Sequence, residues 1–326
     1  MKRLISGIKP TGDLTLGNYI GALKQFKEMQ KEYETFIFVA DLHALTIDND
    51  PMELKKKIRD IIAIYLACGL DPKYTTIFIQ SENMYHANLG WVLECNTYMG
   101  EASRMTQYKE KSKNEKNISV GLFTYPMLMA ADILMYDADV VPVGIDQKQH
   151  VELARNIAER FNHKYGDTFK VPEPIIPKSG AKIYDLQNPL KKMSKSDDNN
   201  KGCIILLESP EIARKKIMSA VTDSESIVKY DIENKPGISN LLTIYSSLKD
   251  ISIEEAEALF VGKNYGEFKK CVADVVVDLL NDLQQKYFDV IHSDRIDNLL
   301  DASNKKVRDI SSKKVKEVFD KVGIGR

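Results

Sequence analysis

The sequence predicts an α/β fold, a doubly wound parallel sheet followed by a C-terminal helical domain. Apolar runs of strand length alternate with longer runs of helical periodicity through the first half of the chain. A glycine- and proline-rich turn joins the first apolar run to the first helical run. After about residue 190 the strand signal fades and the remaining runs are helical. We therefore divide the chain into an α/β domain, residues 1–190, and a helical domain, residues 191–326.

The individual elements follow from the length and periodicity of these runs. Leu4 and Ile5 can form a buried first strand, and Asp50 followed by Pro51 is a typical helix start. The further predicted strands are 36–40, Thr75–Ile79 and 140–143. The predicted helices of the first domain are 16–30, 51–68, 89–98, 125–135 and 147–161. Those of the second domain are 208–221, 238–248, 253–260, Tyr265–Ile291 and 304–322.

The segment 6–22 has the pattern of a strand, a tight glycine turn and a helix N-terminus. Thr15 is a candidate N-cap, and apolar residues recur at helical spacing from Leu16 onward. Free N–H groups and the helix dipole at such an end favour an anion. Gly17 and Gly21 leave a flat patch on which a planar ring such as adenine can lie. The alternative is that these glycines only permit close packing between the helix and a strand.

A second motif, residues 191–198, combines lysines and serines in a short polar stretch. Lysine is a compact point charge for phosphate, and serine hydroxyls and backbone N–H groups add donors. The composition therefore suits a mobile loop that meets a polyphosphate. A solvated lysine-rich turn is the alternative for this motif alone.

The composition excludes several classes of protein. Of the 326 residues, 43% are hydrophobic and 29% are charged, as in ordinary globular proteins of two domains. The net charge of −1 gives no global basic field, so an RNA partner needs local patches and no DNA partner is expected. Four cysteines without a C-x-x-C pair argue against a zinc or iron–sulfur site. No signal peptide and no apolar run of about 20 residues is found, so we expect a cytoplasmic protein without a membrane span.

Together, the two motifs resemble the paired signatures of the class I aminoacyl-tRNA synthetases. Thr15-Leu16-Gly17-Asn18 stands where that class carries its His-Ile-Gly-His-type signature, and residues 192–196 match the Lys-Met-Ser-Lys-Ser signature in full. Further strings resemble the bacterial tryptophanyl-tRNA synthetases, and the likeness extends over nearly the whole chain. These strings are residues 6–8, 17–23, 124–126, 128–134, 141–144, 146–150, 219–223 and 235–240.

The resemblance implies an activity and an architecture. L-Tryptophan is activated with ATP to tryptophanyl-adenylate and pyrophosphate, and is then transferred to the 2′-hydroxyl of the terminal adenosine of tRNA(Trp). The sheet is Rossmann-like, and domain 1–190 is the nucleotide-binding catalytic domain. Domain 191–326 reads the anticodon, and its last helix packs back on the catalytic domain. The family forms homodimers.

The resemblance also implies an ATP site built from both signatures. Lys192 and Lys195 hold the β- and γ-phosphates, and Lys111 reaches the phosphates from another loop. Asn18 and Thr15 contact phosphate from the helix N-terminus, and these five residues form the predicted catalytic set. The predicted ATP-binding residues are Lys9, Pro10, Thr11, Gly17, Asn18, Gly21, Gly144, Ile145, Asp146, Ile183, Lys192, Met193, Ser194, Lys195 and Ser196. Gly144 and Asp146 hold the ribose, Ile183 and Met193 bracket the base, and Mg²⁺ is carried by the ATP phosphates, with no metal site made by the protein.

Asp132 is the most informative single residue for the amino acid. It lies in an otherwise apolar helical stretch, where a lone carboxylate is costly unless it is paired. The resemblance makes it the acceptor for the indole N–H. The other predicted tryptophan-binding residues are Met129, Ile133, Val141, Val143 and Ile5 around the indole, Tyr125 and Gln147 for the ammonium, and Gln147 or His43 for the carboxylate. His43 can instead be a buried neutral histidine.

Two positions depart from the family pattern, and other functions stay open. Lys9 stands where the family often has glutamine, and Ile5 where it often has an aromatic residue. A tyrosyl-tRNA synthetase, a non-catalytic regulator that binds RNA or ATP, and an adenylate-forming enzyme without a tRNA role are the alternatives. Basic pairs such as Lys215-Lys216 favour an RNA partner mildly. We expect the single tryptophan, Trp91, to be a packing residue, and the homodimers of the family imply that it can lie near a dimer contact.

Overall fold

The computed structural model of the chain describes residues 1–112, 117–144, 147–175, 181–194 and 200–326. Across these ranges, five parallel strands form one sheet in the order β3-β2-β1-β4-β5. The strands are β1 Arg3–Ile8, β2 Glu34–Val39, β3 Thr75–Ile79, β4 Val140–Pro142 and β5 Glu173–Ile175. The chain starts in the middle of the sheet, builds one side and then returns to the other side of β1. The predicted doubly wound parallel sheet is confirmed.

The helices agree with the prediction in position more than in their exact bounds. They are α1 Leu16–Asn18, α2 Lys24–Met29, α3 Asp41–Ala44, α4 Pro51–Ala67, α5 Tyr85–Cys95, α6 Met99–Ala102, α7 Thr106–Ser112, α8 Val120–Leu134, α9 Lys148–Tyr165, α10 Pro210–Met218, α11 Pro236–Lys249, α12 Ile253–Leu259, α13 Tyr265–Ile291 and α14 Arg295–Val322. A π-helical segment, Tyr19–Leu23, joins α1 to α2, so the predicted first helix is continuous but is not α-helical throughout.

Several short elements were not predicted. Strand β5 has three residues, one of them Pro174, and shows no alternation that a pattern can detect. Proline is tolerated there because β5 is an edge strand of the sheet. Helices α3 and α6 have four residues each, too few to show a helical period.

The two faces of the sheet bury two hydrophobic clusters. Leu4 and Ile5 are neighbours on β1, and because strand side chains alternate they enter different clusters. The Leu4 cluster contains Leu16 from the first half and Leu241 and Leu280 from the second half of the chain. The Ile5 cluster contains residues of α8 and α9, and Val307 of α14. Helix α14 packs against β3 and α5, so the end of the chain lies on the sheet domain.

Close approach of two strands requires a glycine on β1. A Cβ atom at Gly7 would lie 2.8 Å from the ring of Phe38 on β2, well inside van der Waals contact. Gly7 therefore allows the Phe38 ring to lie flat over the strand that leads into the glycine-rich turn.

The expectation that Trp91 is a packing residue is wrong. Its side chain on α5 is 68% exposed, because it lies on the face of α5 opposite to Leu89, Val92 and Leu93, which are buried. None of the helices in the described ranges combines the length and apolar character that crossing a bilayer would require.

Candidate active site

The carboxyl ends of the parallel strands bring several predicted site residues to one edge of the sheet. Lys9 follows β1, His43 follows β2 on α3, and Val143 follows β4. The strand order reverses beside β1, where β4 lies on one side and β2 on the other. Ligands of open α/β sheets bind at such a switch point. The candidate site therefore lies over the ends of β1, β2 and β4.

The glycine-rich turn after β1 ends in a helix N-terminus that the chain caps itself. Thr15 Oγ1 accepts a hydrogen bond from the backbone N–H of Asn18 at 3.2 Å, and Asn18 Oδ1 accepts one from the backbone N–H of Thr15 at 2.9 Å. This reciprocal pair is a capping box, so the predicted N-cap is confirmed. The contacts of both side chains with phosphate stay predictions.

The same turn is fixed to the second half of the chain by backbone hydrogen bonds. The Leu16 N–H donates to the Ile204 carbonyl at 2.9 Å, and the Leu206 N–H donates to the Leu14 carbonyl at 2.9 Å. Thr15 and Ile205 thus form an antiparallel bridge. This contact holds the helix N-terminus near the segment that follows the lysine-rich motif.

A short antiparallel pair supports the start of the lysine-rich motif. The Asp185 N–H donates to the Lys191 carbonyl at 2.9 Å, and the Met193 N–H donates to the Ile183 carbonyl at 3.0 Å. Lys192 is exposed at the middle of this pair. Residues 191–193 are therefore held in a two-stranded ribbon with residues 183–185 rather than in a free turn.

The outer edge of this ribbon is held by Asn240 of α11, which sequence reasoning missed. Its Oδ1 accepts from the Tyr184 N–H at 2.9 Å, and its Nδ2 donates to the Tyr184 carbonyl at 2.9 Å. The Asn240 side chain is buried and takes the place of a neighbouring strand. The string 235–240 contains it, but a lone asparagine in a helix gives no sequence signal for this role.

The two signatures meet at Gly17. A Cβ atom there would lie 3.6 Å from Met193 Cβ and 3.7 Å from Ile183 Cβ, whereas a Cβ atom at Gly21 would meet open space. Met193 and Ile183 are both buried. The structure brings these three predicted ATP residues together, and the open surface lies on the Gly21 side. The π-helical segment that contains Gly21 is a feature found frequently at functional sites.

The side chain of Lys9 has a described partner beside the crevice. Its Nζ donates to Thr46 Oγ1 at 3.1 Å, so the ammonium points toward the loop after α3. Pro10 is buried and Thr11 is half-buried in the turn that follows.

Asp132 is the centre of a buried polar cluster. Its Oδ1 lies 2.7 Å from Gln80 Nε2 and 2.7 Å from His86 Nδ1, and its Oδ2 lies 2.7 Å from His43 Nε2. The carboxylate is 1% exposed. Burial acts to raise its pKa, but the hydrogen bonds with His43 and His86 outweigh burial and lower the pKa to about 2. Asp132 is therefore ionised at any physiological pH.

Gln80 and His86 were missed from the sequence, and one signal could have found them. An apolar helix that carries a lone carboxylate requires buried donors, and Gln80 follows the end of β3. His86 is fully buried on α5. His43, with its side chain 11% exposed, pairs with Asp132, and its predicted contact with the amino-acid carboxylate stays a prediction.

The apolar residues predicted around the indole lie on the side of the sheet that the Ile5 cluster covers. Ile5, Ile133 and Val141 are buried members of the cluster, and Met129 and Val143 pack against it while partly exposed. All five residues predicted around the indole thus belong to the Ile5 cluster or pack against it, and their contact with an indole stays a prediction.

Tyr125 lies in the first half of α8, and Gln147 is the N-cap residue of α9. Tyr125 Oη lies 2.9 Å from Nε2 of His150, a buried histidine to which the sequence analysis gave no role. Burial raises the pKa of Tyr125 to about 12, so its hydroxyl stays protonated.

Gly144 ends the described part of the loop after β4, and Ser194 ends the described part of the lysine-rich motif. The predicted residues Ile145, Asp146, Lys195 and Ser196, and the side chain of Lys111, lie outside the described residues.

The sequence as a whole matches a known family. Residues 1–281 match the family model described as tRNA synthetases class I (W and Y). The chain belongs to the class I tRNA synthetases.

This synthetase is similar over its full length to proteins named for tryptophan. It is 55% identical to the tryptophan–tRNA ligase of Bacillus subtilis over 327 residues, 100% of this chain and 99% of the relative. The solved tryptophanyl-tRNA synthetase of Mycoplasma pneumoniae has a TM-score of 0.93 and 36% identity, over 100% of this chain and 98% of that chain. That of Campylobacter jejuni, complexed with ADP and tryptophan, has a TM-score of 0.84 and 33% identity, over 99% and 100%.

A tyrosyl-tRNA synthetase from Aeropyrum pernix shares the synthetase fold at a TM-score of 0.68 and 19% identity, over 94% of this chain and 90% of that chain. At this identity the likeness concerns the fold alone.

Proposed function

We infer that the chain is a tryptophan–tRNA ligase. It converts L-tryptophan and ATP to tryptophanyl-adenylate and pyrophosphate, and then transfers tryptophan to the terminal adenosine of tRNA(Trp). The observation that carries this conclusion is the 55% identity, over the whole chain, to a tryptophan–tRNA ligase. The two alternatives without aminoacylation have no comparable support.

The first step requires no nucleophile from the protein. An oxygen of the tryptophan carboxylate attacks the α-phosphorus of ATP, a P–O bond forms, and the bond to the β-phosphate oxygen breaks with release of pyrophosphate. Catalysis then depends on holding the two substrates in line and on stabilising the charge that moves to pyrophosphate. In the second step the ribose 2′-hydroxyl of the tRNA attacks the acyl carbon, and AMP leaves.

We propose that tryptophan lies over the ends of β1 and β4, with its indole against Met129, Ile133, Val141 and Val143. In this placement the indole N–H donates to Asp132. The low pKa of Asp132 supports this role, because an ionised carboxylate is purely an acceptor. An amino acid whose ring lacks this donor would leave a buried acceptor unpaired and would be rejected strongly.

We propose that ATP lies between the self-capped helix N-terminus and the lysine-rich motif. Lys192, Lys195 and Lys111 supply cations for the phosphates, and Thr15 and Asn18 supply polar groups. The side chains proposed for the phosphates carry ammonium, amide and hydroxyl groups rather than carboxylates. Mg²⁺ is accordingly proposed to enter with ATP, on the phosphate oxygens.

The predicted ribose and base contacts are part of the same proposal. Gly144 and Asp146 hold the ribose, Ile183 and Met193 border the base, and Gly21 offers the open face. Lys9, Pro10, Thr11, Ser194 and Ser196 complete the proposed contacts. The proximity of Gly17 to Met193 supports a base-binding place where the two signatures meet.

The helical domain, residues 191–326, is proposed to read the anticodon of tRNA(Trp), in the cytoplasm where charged tRNA is used.

A homodimer is also proposed. On and beside α5 and α6, four large apolar side chains are at least 65% exposed: Met84, Trp91, Tyr98 and Met99. Light scattering of the purified protein tests this, and Trp91→Glu should shift the mass toward one chain. A monomeric wild type would overturn the proposal.

The function is tested by ATP–pyrophosphate exchange with each of the twenty amino acids, without tRNA. Exchange with tryptophan alone is expected. Exchange with tyrosine instead would keep the mechanism and overturn the role of Asp132. The absence of exchange with every amino acid would overturn the proposed activity. Aminoacylation of purified tRNA(Trp) then tests the second step.

A further inference from the structure

A line of buried polar side chains runs from α14 to the Asp132 carboxylate. Ser311 Oγ lies 2.9 Å from Asn83 Nδ2, and the same nitrogen lies 3.1 Å from Tyr136 Oη. Tyr136 Oη lies 2.9 Å from His86 Nε2, and His86 Nδ1 lies 2.7 Å from Asp132 Oδ1. All five residues are at most 1% exposed. We call Ser311, Asn83, Tyr136 and His86 the Asp132 relay.

The chemistry of each group assigns a direction to every link. Ionised Asp132 only accepts, so His86 Nδ1 must carry a proton. Asn83 Nδ2 donates to Tyr136 Oη, and burial raises the pKa of Tyr136 and keeps its hydroxyl protonated. With that proton the hydroxyl is assigned as the donor to His86 Nε2, so Nε2 accepts and Nδ1 carries the proton toward Asp132.

The relay is closed at its outer end. The second proton of Asn83 Nδ2 is directed to Ser311 Oγ, and the Ser311 hydroxyl donates to the Val307 carbonyl of α14 at 2.7 Å. With the shorter of the Ser311 hydroxyl contacts taken as its hydrogen bond, the links of the relay have one consistent set of directions. A fully satisfied buried network of this kind is rigid and specifies one arrangement of its members.

The relay determines which oxygen of Asp132 faces the substrate. Oδ1 receives two hydrogen bonds, from Gln80 and His86, whereas Oδ2 receives one, from His43. A carboxylate oxygen has room for about two donors. The described contacts thus leave one acceptor direction, on the Oδ2 side where His43 is partly exposed.

We propose that the Asp132 relay is a positioning device for amino-acid specificity. It holds His86 in one tautomer, saturates Oδ1, and presents the remaining acceptor of Oδ2 to a single N–H donor of the substrate ring. Helix α14 thereby contributes to amino-acid specificity, although it packs against β3 and α5 and is not proposed to contact the substrate. This inference rests on the proposed function, in which that donor is the indole N–H of tryptophan.

The test compares tryptophan with its isostere β-(3-benzothienyl)alanine, which has sulfur in place of the indole N–H. The variant is Tyr136→Phe, which keeps the ring stacked on Phe36 and removes only the hydroxyl. Without that hydroxyl, His86 Nε2 becomes a buried acceptor without its donor, and only the hydrogen bond to Asp132 still orients the imidazole. The ratio of kcat/KM values for the two amino acids in ATP–pyrophosphate exchange should fall roughly tenfold. The change should lie in the KM for tryptophan, with the KM for ATP unchanged.

Two matched controls separate positioning from general destabilisation. Tyr65→Phe removes another buried tyrosine hydroxyl. This hydroxyl donates to the Phe38 carbonyl at 3.1 Å and is not part of the relay. Ser311→Ala should lower the ratio by a smaller factor than Tyr136→Phe, whereas Ser303→Ala, also buried on α14, should not. Thermal melting of each variant monitors the fold.

Each result decides one question. A lower ratio in Tyr136→Phe and Ser311→Ala, with an unchanged ratio in both controls, supports the relay. An unchanged ratio in a folded Tyr136→Phe variant overturns it, and if that variant does not fold, Ser311→Ala decides in the same way. A wild-type protein that uses both amino acids equally would overturn the role of Asp132. A wild-type protein without tryptophan-dependent exchange would overturn the proposed function itself.

Discussion

Replacing Asn240 with alanine should loosen the ribbon on which the lysine-rich motif begins. Asn240 holds both the N–H and the carbonyl of Tyr184, each at 2.9 Å. Alanine leaves these two backbone groups without their partner in a largely buried place. An unsatisfied buried polar group costs about 1–3 kcal/mol. Because water can reach the two groups in part, the free energy of unfolding should fall by roughly 2–4 kcal/mol in all. That loss corresponds to a fall in Tm of roughly 3–6 °C for a chain of this size.

The catalytic consequence is specific because of what the ribbon carries. Residues 183–185 of the ribbon pair with the backbone of Lys191 and Met193. Lys192 stands between these two residues, and Lys195 follows in the sequence. The KM for ATP in pyrophosphate exchange should therefore rise in Asn240→Ala while the KM for tryptophan stays near its wild-type value. Both constants are measured below the Tm of the variant.

A matched control variant is Asn49→Ala. Asn49 Nδ2 also donates to two backbone carbonyls, those of Ala44 at 2.8 Å and Ile47 at 2.7 Å, but in a partly exposed loop. It should change neither KM. A wild-type KM for ATP in Asn240→Ala, or an equal rise in both constants, would refute the argument that Asn240 acts through the ribbon.

Three further predictions concern single sites. Lys195→Ala should slow adenylate formation by roughly 100-fold with little change in tryptophan affinity, as followed by single-turnover kinetics; an unchanged rate would remove Lys195 from catalysis. Gly7→Ala should cost about 1–3 kcal/mol by denaturant unfolding, since the new Cβ meets the Phe38 ring at 2.8 Å, whereas Gly100→Ala has open space and should not destabilise. The folded pKa of Asp132, about 2, lies below its usual value, so its contribution to stability is present above about pH 4 and is lost toward pH 2. The stability difference between wild type and Asp132→Asn should shrink over that interval, and a constant difference would contradict the low pKa.

The sequence predicted the parts of the fold that repeat a pattern. Helix Tyr265–Ile291 and strand Thr75–Ile79 have the predicted bounds, because long amphipathic and short apolar runs are unambiguous there. Strand β5 was missed because three residues with a central proline show no period. The start of α14 at Arg295 rather than 304 was missed, although Ile296, Leu299 and Leu300 already stand at helical spacing in its first turns.

The candidate site divides in a similar way. Asp132 was recognisable from sequence because a carboxylate in an apolar helix is energetically costly unless it has hydrogen-bond partners. Its partners Gln80 and His86 were missed: the need of a buried carboxylate for donors was the one signal, but they come from other elements, and only the fold brings them within 2.7 Å. Asn240 was missed for the same reason, because a side chain that pairs with a distant backbone segment leaves no local pattern.

The hydrophobic cluster that joins both halves of the chain also constrains how this synthetase can evolve. Leu4 and Leu16 belong to one cluster with Ile204, Leu241 and Leu280. In a close-packed interior, a change of a single methylene on one side is felt by its neighbours. Recombination that imported the helical half alone would succeed only from a near relative with matching side-chain volumes. The two halves are therefore expected to be inherited together and to accumulate substitutions in compensating pairs across their shared core.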